Sequence, residues 1–189
     1  GEMDTFAASL RDTYAEPGSD WQYVSIDTHV IGMVIRGATD RSVTELLSEK
    51  IIQPLGLEQE PYYLTDGEGV AFVLGGLNIT TRDYARFGQM ILQGGQWQGR
   101  QIVPEAWIDA STAASAPTDA DEFGYGYQWW IPEGAAPGEY MGRGIYGQYI
   151  YINEGAQVVI ATTAADRQFR EPGVNMQNVE VFRLIAESL

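Results

Sequence analysis

The sequence has no cysteine, a single histidine, His29, and a single lysine, Lys50. Without thiols there is neither a disulfide framework nor thiolate chemistry, and one imidazole cannot assemble an ordinary zinc site. The nearest calcium-like run, Asp119, Asp121 and Glu122, lacks the spacing of an EF-hand loop and reads as solvated loop. No metal and no cofactor are expected. Basic residues are scarce as well: 11 Lys and Arg against 26 Asp and Glu leave a formal charge of −15. That field repels phosphate backbones and anionic lipid, which excludes nucleic acid and charged membrane surfaces as natural partners. No apolar run approaches the roughly 18 residues of a membrane span. With 189 residues the chain suits one domain with its own core, and equally a piece of a larger domain.

What is present begins with helices. Val30, Ile31, Val34 and Ile35 recur at helical spacing, so a short buried helix is predicted from Thr28 to Gly37. Ser42 followed by Glu45 is a capping box that opens a helix through Leu46, Leu47, Ile51 and Ile52, ended by Pro54 and Gly56. Thr81 caps a third helix carrying Tyr84, Phe87, Ile91 and Leu92, stopped by Gly94-Gly95. A short fourth follows Pro104.

After Pro117 the character changes. Phe123 to Ile131, Ile145 to Ile152 and Gln157 to Thr163 are rich in aromatic and β-branched residues and read as three strands. The last two form a hairpin around Asn153-Glu154-Gly155. A final helix from about Asn178 sets Val181, Phe182, Ile185 and Leu189 on one stripe that covers one face of the sheet. The expectation is an α+β architecture with a mostly helical region over 1–116 and an antiparallel sheet with its covering helix over 117–189. One sheet face and an edge strand would then lack partners, which points to further elements of one larger domain.

The run Gly142-Arg143-Gly144-Ile145-Tyr146-Gly147 matches the GxGxxG pattern of dinucleotide-binding proteins in form only. That pattern opens a helix, whereas this one enters a strand. Its glycines instead let a substrate approach the strand edge, where backbone N–H groups can face developing negative charge. His29 follows Tyr23 by little more than a turn of helix, without an identifiable acidic partner, and reads as a surface or packed histidine. The cluster Gly124 to Trp130 could stack a ring substrate but reads first as strand core.

Gly75-Gly76-Leu77-Asn78-Ile79-Thr80-Thr81-Arg82-Asp83-Tyr84-Ala85-Arg86-Phe87-Gly88, followed by Ile102-Val103-Pro104-Glu105-Ala106-Trp107-Ile108, resembles a block of the β-lactamase-like serine hydrolases. Tyr23-Val24-Ser25 falls where that family has its Tyr-x-Asn or Tyr-x-Ser motif. Gly142-Arg143-Gly144 falls where it has Lys-Thr-Gly or a looser variant. The resemblance runs from Trp21 to Ala164 and is strongest for the 6-aminohexanoate-dimer hydrolase branch, with its carboxylesterase relatives, among class C β-lactamase-like proteins. It implies the C-terminal part of a β-lactamase/transpeptidase-like fold.

The resemblance also implies chemistry. A serine of a Ser-x-x-Lys motif would attack a small amide or ester, with a proton relayed by Tyr23 and an oxyanion hole including the Ile145 N–H. The side chain of Ile145 reads as packing. Ser25, Arg143, Gly144, Tyr146 and Gln148 would line the substrate cleft, Arg143 standing where relatives hold a substrate carboxylate. Ser9, Ser19, Ser25, Ser42, Ser48, Ser111, Ser115 and Ser188 are the serines present, and none has lysine at the third position after it. The nucleophile is expected on a missing N-terminal portion, in the same chain or a separate one. The alternative is a non-catalytic binding or structural relative that has lost it. The resemblance favours a periplasmic or secreted location, with the cytoplasm an open alternative.

Overall fold

The computed structural model describes residues 1–119 and 121–189. They form two compact units, Gly1–Thr80 and Thr81–Leu189.

The first unit contains α1 (Glu2–Ser9), α2 (Ser25–Thr39), α3 (Val43–Leu47), a π-helical turn at Ser48–Ile52, and α4 (Gln53–Leu55). A short antiparallel pair follows, β1 (Tyr62–Tyr63) with β2 (Leu77–Asn78). The predicted capping box is present: Ser42 Oγ accepts from the Glu45 N–H at 3.1 Å, and Glu45 Oε2 accepts from the Ser42 N–H at 2.9 Å. Helix α2 extends past both predicted ends, and its expected burial is not observed. Val30, Ile31 and Ile35 are exposed and Val34 is 64% exposed, while His29 and Gly32 face inward. Gly32 matters because a Cβ there would stand 2.7 Å from Val73 Cγ2. Helical period identifies a stripe of apolar residues, but not whether anything covers it.

The second unit opens with α5 (Thr81–Leu92), as predicted, followed by a small hairpin of β3 (Gln96–Trp97) and β4 (Arg100–Gln101) and by α6 (Glu105–Thr112) after Pro104. Its sheet has five strands in chain order: β5 (Gly124–Tyr125), β6 (Trp130–Ile131), β7 (Glu139–Gly144), β8 (Gln148–Asn153) and β9 (Val158–Thr162). All neighbours are antiparallel. Helix α7 (Val174–Glu187) ends the chain. The α+β class holds, with three corrections. The expected strand Phe123 to Ile131 is folded back on itself as β5 and β6, across a turn where Gln128 takes a φ of 70°. Strand β7 was not predicted. The second sheet face is not bare: α5 crosses it so closely that a Cβ on Gly88 would lie 2.8 Å from Ile150 Cγ2 and 2.7 Å from Val159 Cγ1.

Helix α7 covers the opposite face. Phe182 meets Tyr149 and Tyr151 at ring-centroid distances of 5.5 and 5.3 Å. Val179, Phe182 and Ala186 are the residues it buries, whereas Val181, Ile185 and Leu189 of the predicted stripe are exposed.

A buried carboxylate anchors the start of β7. Glu139 accepts from Arg183 Nε at 2.7 Å and Tyr151 Oη at 2.9 Å on one oxygen. Its other oxygen takes the Ala136 N–H at 2.9 Å and a second Arg183 nitrogen at 3.1 Å. Burial pushes the Glu139 pKa up, but these donors together outweigh it and hold it below the usual value. The same surroundings, burial first, push the Tyr151 phenol up to about 12.

Candidate active-site segments

The second unit brings the predicted residues from Arg143 to Gln148 together at the connection between β7 and β8. The strand expected from Ile145 begins instead at Gln148, because Ile145–Gly147 forms a 3₁₀ turn. Tyr146 sits in the left-handed region at φ 60° and ψ 22°, followed by Gly147 at φ 87°. A non-glycine residue held there stores about 1–3 kcal/mol of strain, which the surroundings must impose. The Ile145 side chain, expected to pack, is 56% exposed.

The turn is fastened from the end of β9 and the segment that follows it. The Asp166 N–H donates to the Tyr146 carbonyl at 3.1 Å. Gln148 Nε2 donates to the Ala164 carbonyl at 2.6 Å, and Thr162 Oγ1 to the Gly147 carbonyl at 3.2 Å. The Tyr146 ring packs edge-on against Phe169, with centroids 5.0 Å apart. Sequence gave no signal for Phe169 or Asp166, which lie in the polar stretch Ala165-Asp166-Arg167-Gln168-Phe169-Arg170.

Arg143 lies across from Tyr149 in the ladder. Its guanidinium stacks 3.8 Å from the Trp130 ring centroid and 5.4 Å from that of Phe123. That is a cation–π site, which puts the Arg143 side chain on the same sheet face as Trp130 of β6. Of the aromatic cluster, Tyr125, Trp129 and Trp130 are core as predicted, while exposed Tyr127 leans on exposed Trp107 with centroids 5.5 Å apart.

Tyr23 and Ser25 belong to the first unit, where Ser25 opens α2 and Tyr23 is 50% exposed just before it. His29 is fully buried and does have an acidic partner: its Nε2 lies 2.8 Å from Asp4 Oδ1, supplied by α1. Arg36 binds the same oxygen at 2.7 Å and, with His29, holds the Asp4 carboxyl well below the usual carboxylate range despite some burial. A sequence separation of 25 residues hid that partner. Nδ1 of His29 is buried and has no hydrogen-bond partner among the described residues. A cavity of about 330 Å³ in this unit is lined by His29, Arg36, Arg41, Ser42 and Val73 among others, and by neither Tyr23 nor Ser25. Among the described residues no cluster of His, Cys, Asp or Glu suits a metal ion, and no helix is long and apolar enough to cross a membrane.

An antiparallel sheet with α5 on one face and α7 on the other, preceded by a helical unit that carries a Tyr-x-Ser motif, is the arrangement of the β-lactamase and penicillin-binding-protein class. The chain belongs to the beta-lactamase family, whose model matches residues 2–180. It is 31% identical over 150 residues to a 6-aminohexanoate-dimer hydrolase of Paenarthrobacter ureafaciens, covering 75% of this chain and 38% of the relative. A Bacillus anthracis protein solved under the name of a 6-aminohexanoate-dimer hydrolase superposes with a TM-score of 0.88 at 31% identity, over 98% of this chain and 48% of that one. A penicillin-binding-protein homologue from Caulobacter crescentus shares the fold at a TM-score of 0.68 and 18% identity, covering 87% and 58%. The chain thus spans less than half the length of the two relatives of higher identity.

Proposed function

We propose that this chain is the part of a serine hydrolase that holds the substrate and stabilises the transition state, and that a second stretch of polypeptide supplies the nucleophile. The substrate is a small amide or ester. The serine of a Ser-x-x-Lys motif adds to its carbonyl carbon, and the serine proton passes to the lysine–Tyr23 pair. The oxyanion is received by the serine's own N–H and that of Ile145. Collapse expels the amine or alkoxide, which takes a proton from the Tyr23 hydroxyl, and water then hydrolyses the acyl-serine by the reverse relay. Ser25, Arg143, Gly144, Tyr146 and Gln148 contact the substrate, the stacked guanidinium of Arg143 suiting an anionic group on it.

The observation that carries this reading is the turn at Ile145: a strained, exposed, firmly fastened backbone at the position the family resemblance assigns to the oxyanion donor. The occupant of the open surfaces is the polypeptide that corresponds to the unmatched half of the longer relatives. Three features support it: the apolar face of α2, the outward face of α7 with Leu184 at 65% exposure, and β9 as an edge strand of the sheet. Apolar helix faces and open strand edges of this kind are covered in stable proteins.

The absence of Ser-x-x-Lys from these 189 residues favours one rival, a binding or structural relative without catalysis. The test combines this chain with a polypeptide bearing the motif and measures hydrolysis of a short ester, a β-lactam and an aminohexanoate dimer. Turnover that falls at least about 100-fold in Tyr23→Phe supports the reading, since positioned acid–base groups contribute about 10²–10⁴-fold. No turnover on any of the three, with the complex formed, supports the rival.

A further inference from the structure

We infer that the helix opened by the Ser-x-x-Lys motif lies along the outward stripe of α2 and runs in the same direction as α2. The inference rests on the hydrolase reading, in which that serine and Tyr23 exchange a proton. Successive residues of a helix are turned by about 100°, so Asp27, Val30, Ile31, Val34, Ile35 and Ala38 fall within one arc of about 140° on α2. All six are exposed. The buried residues of α2, His29 and Gly32, lie on the other side. Apart from Tyr23, the other large apolar side chains in water in this unit come singly or in pairs: Phe6 with Leu10, Tyr14, and Tyr62 with Leu64. Four aliphatic side chains on one helix face form a patch of the kind that marks an interaction surface.

Relay geometry and charge choose the occupant. The serine must stand within hydrogen-bond reach of the Tyr23 hydroxyl, about 3 Å. Tyr23 directly precedes Val24, the N-cap of α2, so the helix of the serine starts at the N-terminal end of α2. The stripe is polar at that end and apolar beyond it, for its one charge is Asp27 in the first turn. A carboxylate there suits both the lysine of the motif and the partial positive charge of a helix N-terminus. A helix that begins beside Asp27 and buries apolar residues continues toward Val34, which makes the two helices parallel. The faces of α7 and β9 carry no member of the lysine–tyrosine relay and take other parts of the same polypeptide.

The chain has no cysteine, so an introduced cysteine reports a single place. Ile31 is six residues past Ser25, about 9 Å along α2 at 1.5 Å per residue. Seven residues after the motif serine, a helix has risen about 10 Å and again faces as the serine does. Ile31→Cys and, as the contrast, Leu184→Cys are each combined with the Ser-x-x-Lys polypeptide, whose only cysteine stands six, seven or eight residues after the serine. Disulfide formation under mild oxidation is followed, and turnover is measured for the unmodified chain with the same polypeptide. Ile31→Cys is expected to cross-link at one of the three positions about 100-fold faster than Leu184→Cys, because facing cysteines meet at millimolar effective concentration. Equal rates, a faster Leu184→Cys, or no cross-link in either variant overturns the placement. Turnover judges the hydrolase reading separately. Turnover without an Ile31→Cys cross-link keeps the hydrolase and sinks the placement. A cross-link at Ile31→Cys without turnover on the ester, the β-lactam or the aminohexanoate dimer upholds the placement and sinks the hydrolase.

Discussion

The two units differ in how they are finished. In Thr81–Leu189 the sheet is sandwiched: Met141, Tyr151, Ile152 and Val179 lose all contact with solvent, and a buried carboxylate is fully paired. In Gly1–Thr80, Leu55 is the one apolar side chain among the described residues to be comparably sequestered, while the longest helix turns its apolar stripe outward. The second unit has a core of its own. The first has a surface that awaits one, and its stability is expected to depend on what covers α2.

Breaking the finished unit should therefore have the largest effect. Phe182→Ala would empty the space between α7 and the sheet where the ring meets Tyr149 and Tyr151. A loss of about 3–5 kcal/mol is expected, read as a lower urea midpoint at unchanged m-value. Glu139→Ala comes next at about 3 kcal/mol, because it strands Arg183 and the Tyr151 hydroxyl.

Both units carry a carboxylate held below its ordinary pKa, Asp4 in the first and Glu139 in the second. A carboxylate with a lower pKa in the folded than in the unfolded state binds fewer protons when folded. Its stabilisation is complete above the unfolded value, about 4, and is lost as pH falls through the folded one. Stability of the chain should thus decline on acidification below about pH 4.5. Asp4→Asn should flatten that decline for the first unit alone, monitored through Trp21, and Glu139→Gln for the second, monitored through Trp129. Equal flattening of both signals by either variant would show that the units unfold together.

What the sequence disclosed and what it hid divide along the same line. Local chemistry was legible: the Ser42–Glu45 box, the start of α6 after Pro104, the whole of α5 and the β8–β9 hairpin each depend on residues within a few positions. Strand β7 was not, because Glu139-Tyr140-Met141-Gly142-Arg143-Gly144 has two glycines and a charge at a buried place. It makes sense only with Arg183, 44 residues on. The split of β5 from β6 was hidden by Gln128, whose positive φ no composition rule anticipates. At the site, Tyr23 and the Gly142 to Gly147 run were found through family resemblance. The contacts of Asp166 and Phe169 with Tyr146 were not, since they join distant segments by one backbone bond and one ring contact.

The smallest effect discriminates most. Val34→Ser and Leu184→Ser each remove an apolar side chain that is already in water, at 64% and 65% exposure. Neither should change the stability of the chain alone by more than about 0.5 kcal/mol. If the α2 and α7 faces are covered by the polypeptide that brings the nucleophile, the same substitutions bury a hydroxyl in an apolar interface. Burying such a group without a partner costs about 1–3 kcal/mol, a roughly 5- to 150-fold weaker complex. Affinity measured for the chain and its complement should fall in Val34→Ser and Leu184→Ser while the chain's own unfolding midpoint stays put. A loss of stability in the chain alone would mean that α2 and α7 are already covered within it. Unaltered affinity would mean that the complement docks elsewhere.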